Sequence, residues 1–160
     1  MKSGTRGQVS TNVSASPAHL YDTVSDMGHM GDWSPECRHC EWIDGSTGPS
    51  VGARFKGSNQ RGVMRWSTKP RVIVADQGRE FAFVTRHLGR DMTRWSYHFE
   101  AASDGTRVTE SFEMLDDMPW YLRLADRLLI GVKDRKADLE ASMEVTLKSL
   151  KTAMENPPAM

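Results

Sequence analysis

Apolar side chains change their spacing three times along this chain, and each change predicts a different kind of element. Val9, Thr11, Val13 and Ala15 alternate with Ser10, Asn12 and Ser14, the two-residue period of a strand. Ser16-Pro17 follows, a capping serine with proline at the first helical position. It predicts a helix over SPAHLYDTVSD, with Leu20 and Val24 on one face. Met27 to Trp33 carries two glycines and predicts a short second helix or turn. From Arg38 to Leu115 turn signals at Asp44-Gly45, Gly48-Pro49, Gln77-Gly78, Leu88-Gly89 and Asp104-Gly105 separate runs rich in Val, Phe, Trp, Thr and Tyr. That spacing predicts an antiparallel meander of about six strands. Trp95, Tyr97 and Phe99 alternate with Arg94, Ser96 and His98, and Asp104-Gly105 closes a hairpin to the strand over Thr106–Leu115.

The last part of the chain has helical spacing. Asp117 and Pro119 mark a start; Leu122, Ala125, Leu128 and Leu129, then Leu139, Met143, Leu147, Leu150 and Met154, share one face. One long helix is expected from about Pro119 to Met154, kinked or split at Gly131 and stopped by Asn156-Pro157-Pro158. Its stripe Leu128–Leu139–Met143–Leu147–Leu150 is expected on the apolar face of the sheet. The order is strand, two short helices, about six strands and a long helix. It predicts an α+β protein: a curved antiparallel sheet of about seven strands wrapped around the C-terminal helix, leaving a cavity where the two do not close. The boundaries expected are a flexible tail over 1–7, a single domain over 8–155 and a C-terminal tail over 156–160.

Composition narrows the partners. The chain has 160 residues, enough to bury a core as one domain. Its 21 basic residues balance 21 acidic ones with no dense basic run, which argues against nucleic acid or an anionic membrane as the main partner. The first thirty residues hold no apolar signal core, and no segment approaches the roughly 20 apolar residues of a membrane span. Two cysteines are too few for a disulfide framework. A cytoplasmic protein is expected, as a monomer or homodimer.

Several stretches resemble the SRPBCC superfamily, the helix-grip proteins that include START lipid-binding domains and polyketide cyclases. They are VSTNVSASPAHLYDTVSDMGHMGDWSPE, GPSVGARFKGSNQRG, TRWSYHFE with GTRVTESFEM, and the helix ending MEVTLKSLKTAM. The chain looks like the branch of small bacterial proteins labelled polyketide cyclase/dehydrase. The resemblance runs from about Gln8 to Met154. It implies the helix-grip fold and a hydrophobic small-molecule cavity between sheet and last helix. It does not name the ligand, because such folds host binding modules and enzymes alike.

Candidate chemistry sits in two places. WSPECRHCEW holds both cysteines. A structural zinc site needs four ligands, no second CxxC follows, and His19, His29, His87 and His98 form no close pair. A redox CxxC opens a helix, whose N-terminus lowers the thiol pKa, whereas this one leads into a strand. Cys37 and Cys40 are therefore expected as two semi-buried thiols beside a pocket, with no metal and no cofactor. Glu110 is the stronger candidate. Alternation puts Val108, Glu110, Phe112 and Met114 on the inward face, and a buried carboxylate must be paired, hydrogen-bonded or protonated. It is the best candidate for a ligand anchor or a general acid/base. The structural reading is a partner for an inward arginine, or a pore-edge residue that stays wet. Glu36 is a weaker second acid.

The expected lining is Trp33, Phe55, Asn59, Trp66, Phe83, Trp95, Tyr97, Glu110 and Met143, with Asn59 and Tyr97 able to orient a ligand. Arg94 and His98 should face solvent. The sequence favours binding or transport of a lipid or polyketide-like molecule, which needs only apolar lining and one or two polar anchors. An aromatase/cyclase-type enzyme needs two convergent titratable groups. An interaction or stress protein with a structural cavity is the third class.

Overall fold

The structure, a computed structural model, describes residues 1–157. Strand β1 (Arg6–Val13) leads to α1 (Pro17–Ser25), a single 3-10 turn at Met27–His29, and α2 (Met30–Trp33). Seven strands follow: β2 (Cys37–Ile43), β3 (Arg54–Arg61), β4 (Met64–Thr68), β5 (Arg71–Asp76), β6 (Glu80–His87), β7 (Arg90–Ala102) and β8 (Gly105–Met114). Helices α3 (Trp120–Leu129) and α4 (Arg135–Glu155) complete the chain. The strands form one curled antiparallel sheet in the order β1-β8-β7-β6-β5-β3-β2, with β4 paired to β3. Eight strands rather than about seven arise because Gly62, at positive φ, folds the chain back between β3 and β4.

The local signals act as read. Ser16 Oγ accepts the His19 N–H at 3.2 Å, capping α1. Asp44-Gly45 and Leu88-Gly89 both adopt positive φ, as tight hairpin turns require. α1 packs on β6 and β7, where Tyr21 meets Phe81 and Phe99 edge-on at 6.2 and 6.1 Å. This closes one end of the curled sheet. α4 lies against β1, β8 and α2 and buries Leu139, Met143, Thr146, Leu147 and Leu150.

The C-terminal helical segment is split at Gly131, one of the two outcomes expected there, and α4 is its long helix. Two other expectations change. Gly131 at φ 68° ends α3, with the Val132 N–H bonded back to the Asp126 carbonyl at 3.1 Å. Asp134 then starts α4 by accepting the Lys136 and Ala137 N–H groups. Leu128 therefore leaves the buried stripe: it lies exposed on α3, while Leu139 to Leu150 remain on the sheet side of α4. Residues 1–7, expected as a mobile tail, are tied to the sheet instead. The Gly4 N–H donates to the Met114 carbonyl, the Met114 N–H to that of Thr5, and Arg6 already pairs with Glu113 in β1. These backbone bonds do not depend on side-chain pattern, which is why a polar segment concealed them. Of the tail expected over 156–160, Pro158, Ala159 and Met160 lie outside the described residues. Among the described residues no helix is long and apolar enough to cross a membrane.

Candidate functional site: a cavity between sheet and C-terminal helix

The end of the curled sheet opposite α1 stays open. There β3, β4, β6, β7, β8 and α4 enclose a cavity of about 260 Å³. It brings together seven of the nine residues expected from sequence: Asn59, Trp66, Phe83, Trp95, Tyr97, Glu110 and Met143. Phe55 and Trp33 do not line it. Phe55 is buried behind the wall, edge-on to Trp42 at 5.8 Å and Phe83 at 5.1 Å. Trp33 sits in an adjoining crevice that shares Met30, Ser34, Tyr97 and Thr146 with the cavity, with its indole N–H buried and unpartnered. Lining residues outside the expected set include Thr68, which shares the face of Trp66 in the sequence pattern, with Thr85, Thr93 and Thr146. The first three lie two positions from Trp66, Phe83 and Trp95, so the alternation carried the signal. Threonine's polarity hid it.

Glu110 lies in the cavity wall, 4% exposed. β8 buries Thr106, Val108, Glu110, Phe112 and Met114 in strict alternation, and Glu110 sits opposite Tyr97 in the β7–β8 register. The Tyr97 hydroxyl donates to Glu110 Oε1 at 2.8 Å, while Oε2 is buried without a partner. Among the described residues no cation lies against the carboxyl, so the structural reading as an arginine partner does not hold. Burial disfavours the charged form and pushes the Glu110 pKa up to about 8, outweighing the Tyr97 bond, which pulls it down. At neutral pH the carboxyl is mostly protonated. Burial, and then the adjacent Glu110, raise Tyr97 well above its ordinary value. The pair thus presents a neutral O–H donor and an acceptor among apolar walls.

The mouth is edged by charge. Arg61 on β3 bonds Asp138 on α4 through both guanidinium ends and reaches Glu36 at 3.2 Å. Arg135 donates to Asp138 at 2.6 Å and lies 3.6 Å from Asp126 on α3. The Arg61 bond holds the Asp138 carboxyl below its ordinary range, whereas burial raises that of Asp126. Glu36, the weaker acid candidate, is therefore held in an ion pair. Arg94 and His98 face outward, and both approach Glu80, at 2.8 and 3.6 Å.

Cys37 and Cys40 both line the cavity, their sulfurs 2.9 Å apart. Residues three apart in a regular strand face opposite sides. The register shift between Cys37 and His39 turns both thiols to the same face. The Cys40 hydrogen bond lowers the Cys37 pKa; the Cys37 bond and then burial raise that of Cys40. Among the described residues no three metal-ligating side chains converge. The double substitution Cys37→Ser with Cys40→Ser should leave the fold intact, and elemental analysis of the wild-type protein should find no stoichiometric zinc. About one zinc per chain, lost in the double variant, would contradict this reading.

The family model described as "Polyketide cyclase / dehydrase and lipid transport" matches residues 5–155. The chain belongs to this family. No curated protein shows a significant match to it. Among solved structures it is similar to a polyketide-cyclase-like protein of Corynebacterium glutamicum, at 30% identity over 97% of this chain and 94% of the other, with a TM-score of 0.64. Major latex-like protein 151 of Panax ginseng is 14% identical over 94% and 97% of the two chains, with a TM-score of 0.69. A di-domain ARO/CYC from the steffimycin biosynthetic pathway matches at 12% identity and a TM-score of 0.73, over 94% of this chain and 50% of that one. The last two establish the helix-grip fold alone. Family membership brings hydrophobic ligand binding and cyclase chemistry within range without choosing between them.

Proposed function

We propose that the cavity binds a small hydrophobic molecule carrying at least one oxygen, lipid-like or polyketide-like in chemistry, and that the chain acts as its binding or transport protein. The observation that carries this reading is the buried Tyr97–Glu110 hydrogen bond in a mostly apolar wall, with Glu110 Oε2 unpartnered. A ligand carbonyl or hydroxyl would satisfy that oxygen, and the aromatic and methionine lining would cover the rest. At about 260 Å³ the cavity falls just below the ~300–1,000 Å³ of drug-sized sites. Its occupant is accordingly a fused-ring compound or a medium-length acyl chain, not a two-chain lipid.

One observation favours the aromatase/cyclase-type reading as the second choice. A carboxyl with a pKa of about 8 is matched to proton transfer near neutral pH. The same chemistry calls for a second convergent acid or base, and Glu36 is engaged with Arg61.

Titration with the uncharged fluorophore N-phenyl-1-naphthylamine tests the binding reading. A saturable rise with one site per chain is expected, abolished by Thr85→Trp, which fills the cavity from a half-buried wall position. Unsaturable binding, or binding that survives Thr85→Trp with an unchanged melting curve, would remove the cavity from the account.

A further inference from the structure

We propose that α3 is a docking surface for an anionic lipid bilayer, an inference that goes beyond the cavity reading and stands without it. The helix is exposed along most of its length: Trp120 at 70%, Leu124 at 46% and Leu128 at 70% form a stripe at i, i+4 and i+8. Tyr121 and Leu129, also exposed, widen it. Burying such a face is the usual reason for an amphipathic helix, yet only Leu122, Ala125 and Asp126 turn toward the protein. Leu88, exposed at the β6–β7 turn, extends the apolar surface, because its neighbour His87 meets the Tyr121 hydroxyl at 2.6 Å.

Charge selects the occupant. The exposed face carries Arg123 and Arg127, one turn apart beside the stripe, and no carboxylate. The helix's one acid, Asp126, points inward to Arg135. Beside α3 lies a recess of about 650 Å³ lined by Arg123, Arg127, Lys133 and Lys136. Its remaining acid, Asp134, is engaged in capping α4. Among the described residues, the ion pairs here involve Arg135 and Lys136, leaving Arg123, Arg127 and Lys133 without a carboxylate partner. Aromatic and leucine side chains flanked by arginine fit the headgroup boundary of an anionic membrane. The whole-chain charge balance that argued against such a surface conceals this local excess of cations, five against Asp126 and Asp134. Arg135, Met1 and Met118 line both this recess and the cavity, so a bilayer on α3 would meet the cavity mouth.

Co-sedimentation with phosphatidylcholine vesicles, with and without phosphatidylglycerol, tests the proposal. The protein should pellet with the anionic vesicles and not with the neutral ones. Arg123→Gln with Arg127→Gln should weaken that binding about 30-fold, from about 1 kcal/mol per cation at such a surface. Leu124→Ser with Leu128→Ser should abolish it. Retained N-phenyl-1-naphthylamine binding in these variants would show fold and cavity intact, which separates a failure here from a failure of the cavity reading. Equal binding to both vesicle types, or none, would overturn the proposal. A dimer seen in sedimentation velocity and broken by Leu124→Ser with Leu128→Ser, without vesicle binding, would assign α3 to a second copy of this chain and overturn it equally.

Discussion

Replacing Glu110 by glutamine should leave stability nearly unchanged at about pH 4 and raise it by on the order of 3–5 kcal/mol at about pH 9. The sign follows from proton binding. In the unfolded chain the group titrates near its ordinary 4.5, and in the folded protein near 8, because burial disfavours the anion. Between those values the folded state holds a proton that the unfolded state has released, so rising pH favours unfolding. The cost is absent below the unfolded pKa and complete above the folded one. Each pKa unit corresponds to about 1.4 kcal/mol, which gives the size. Glutamine keeps an oxygen for the Tyr97 hydroxyl and cannot ionise, so the variant loses this slope. The difference between the two proteins, measured by urea denaturation across that range, isolates Glu110 from groups that titrate in both. Parallel pH profiles would mean that the carboxyl is ionised in a wet site.

The second large effect is expected at Leu147. It is 1% exposed and belongs to the same buried cluster as Val13, Tyr97 and Leu150, between α4 and the sheet. Leu147→Ala removes buried methyl groups and leaves a void, at a cost of about 2–5 kcal/mol. Val145→Ala, on the exposed side of the same helix, should stay within about 0.5 kcal/mol. Denaturation midpoints that fail to separate the two variants would place the α4 stripe elsewhere.

Strand alternation made most of this site legible. Val108, Glu110 and Phe112 face inward because β8 is regular, and Tyr97 meets Glu110 because β7 and β8 pair directly across that position. Neither statement needs knowledge of distant contacts. Phe55 marks a limit of alternation, which puts it on the inward face, whereas in the packed core it lies edge-on behind Phe83, which lines the cavity. The cysteines show a second limit. A bulge at Arg38 reverses which positions share a face, and no feature of CRHC announces it. Leu128 was misplaced for a third reason. The helical period runs on past Gly131, where a kink or split is already expected, but positive φ at Gly131 and the Asp134 cap end one helix and start another, so residues on the two sides no longer share a face. The charged mouth was invisible because Arg61, Glu36, Arg135 and Asp138 come from three separate segments.

Native mass spectrometry of freshly purified protein, wild-type beside Glu110→Leu, tests the central claim most directly. Leucine preserves bulk and removes the cavity's only buried carboxyl among the described residues. A bound small molecule of one defined mass is predicted on the wild-type chain. Its retention should fall by roughly 5- to 150-fold in the variant, the equivalent of about 1–3 kcal/mol for an unsatisfied buried polar group. A molecule held equally by both proteins would contradict Glu110 as the anchor.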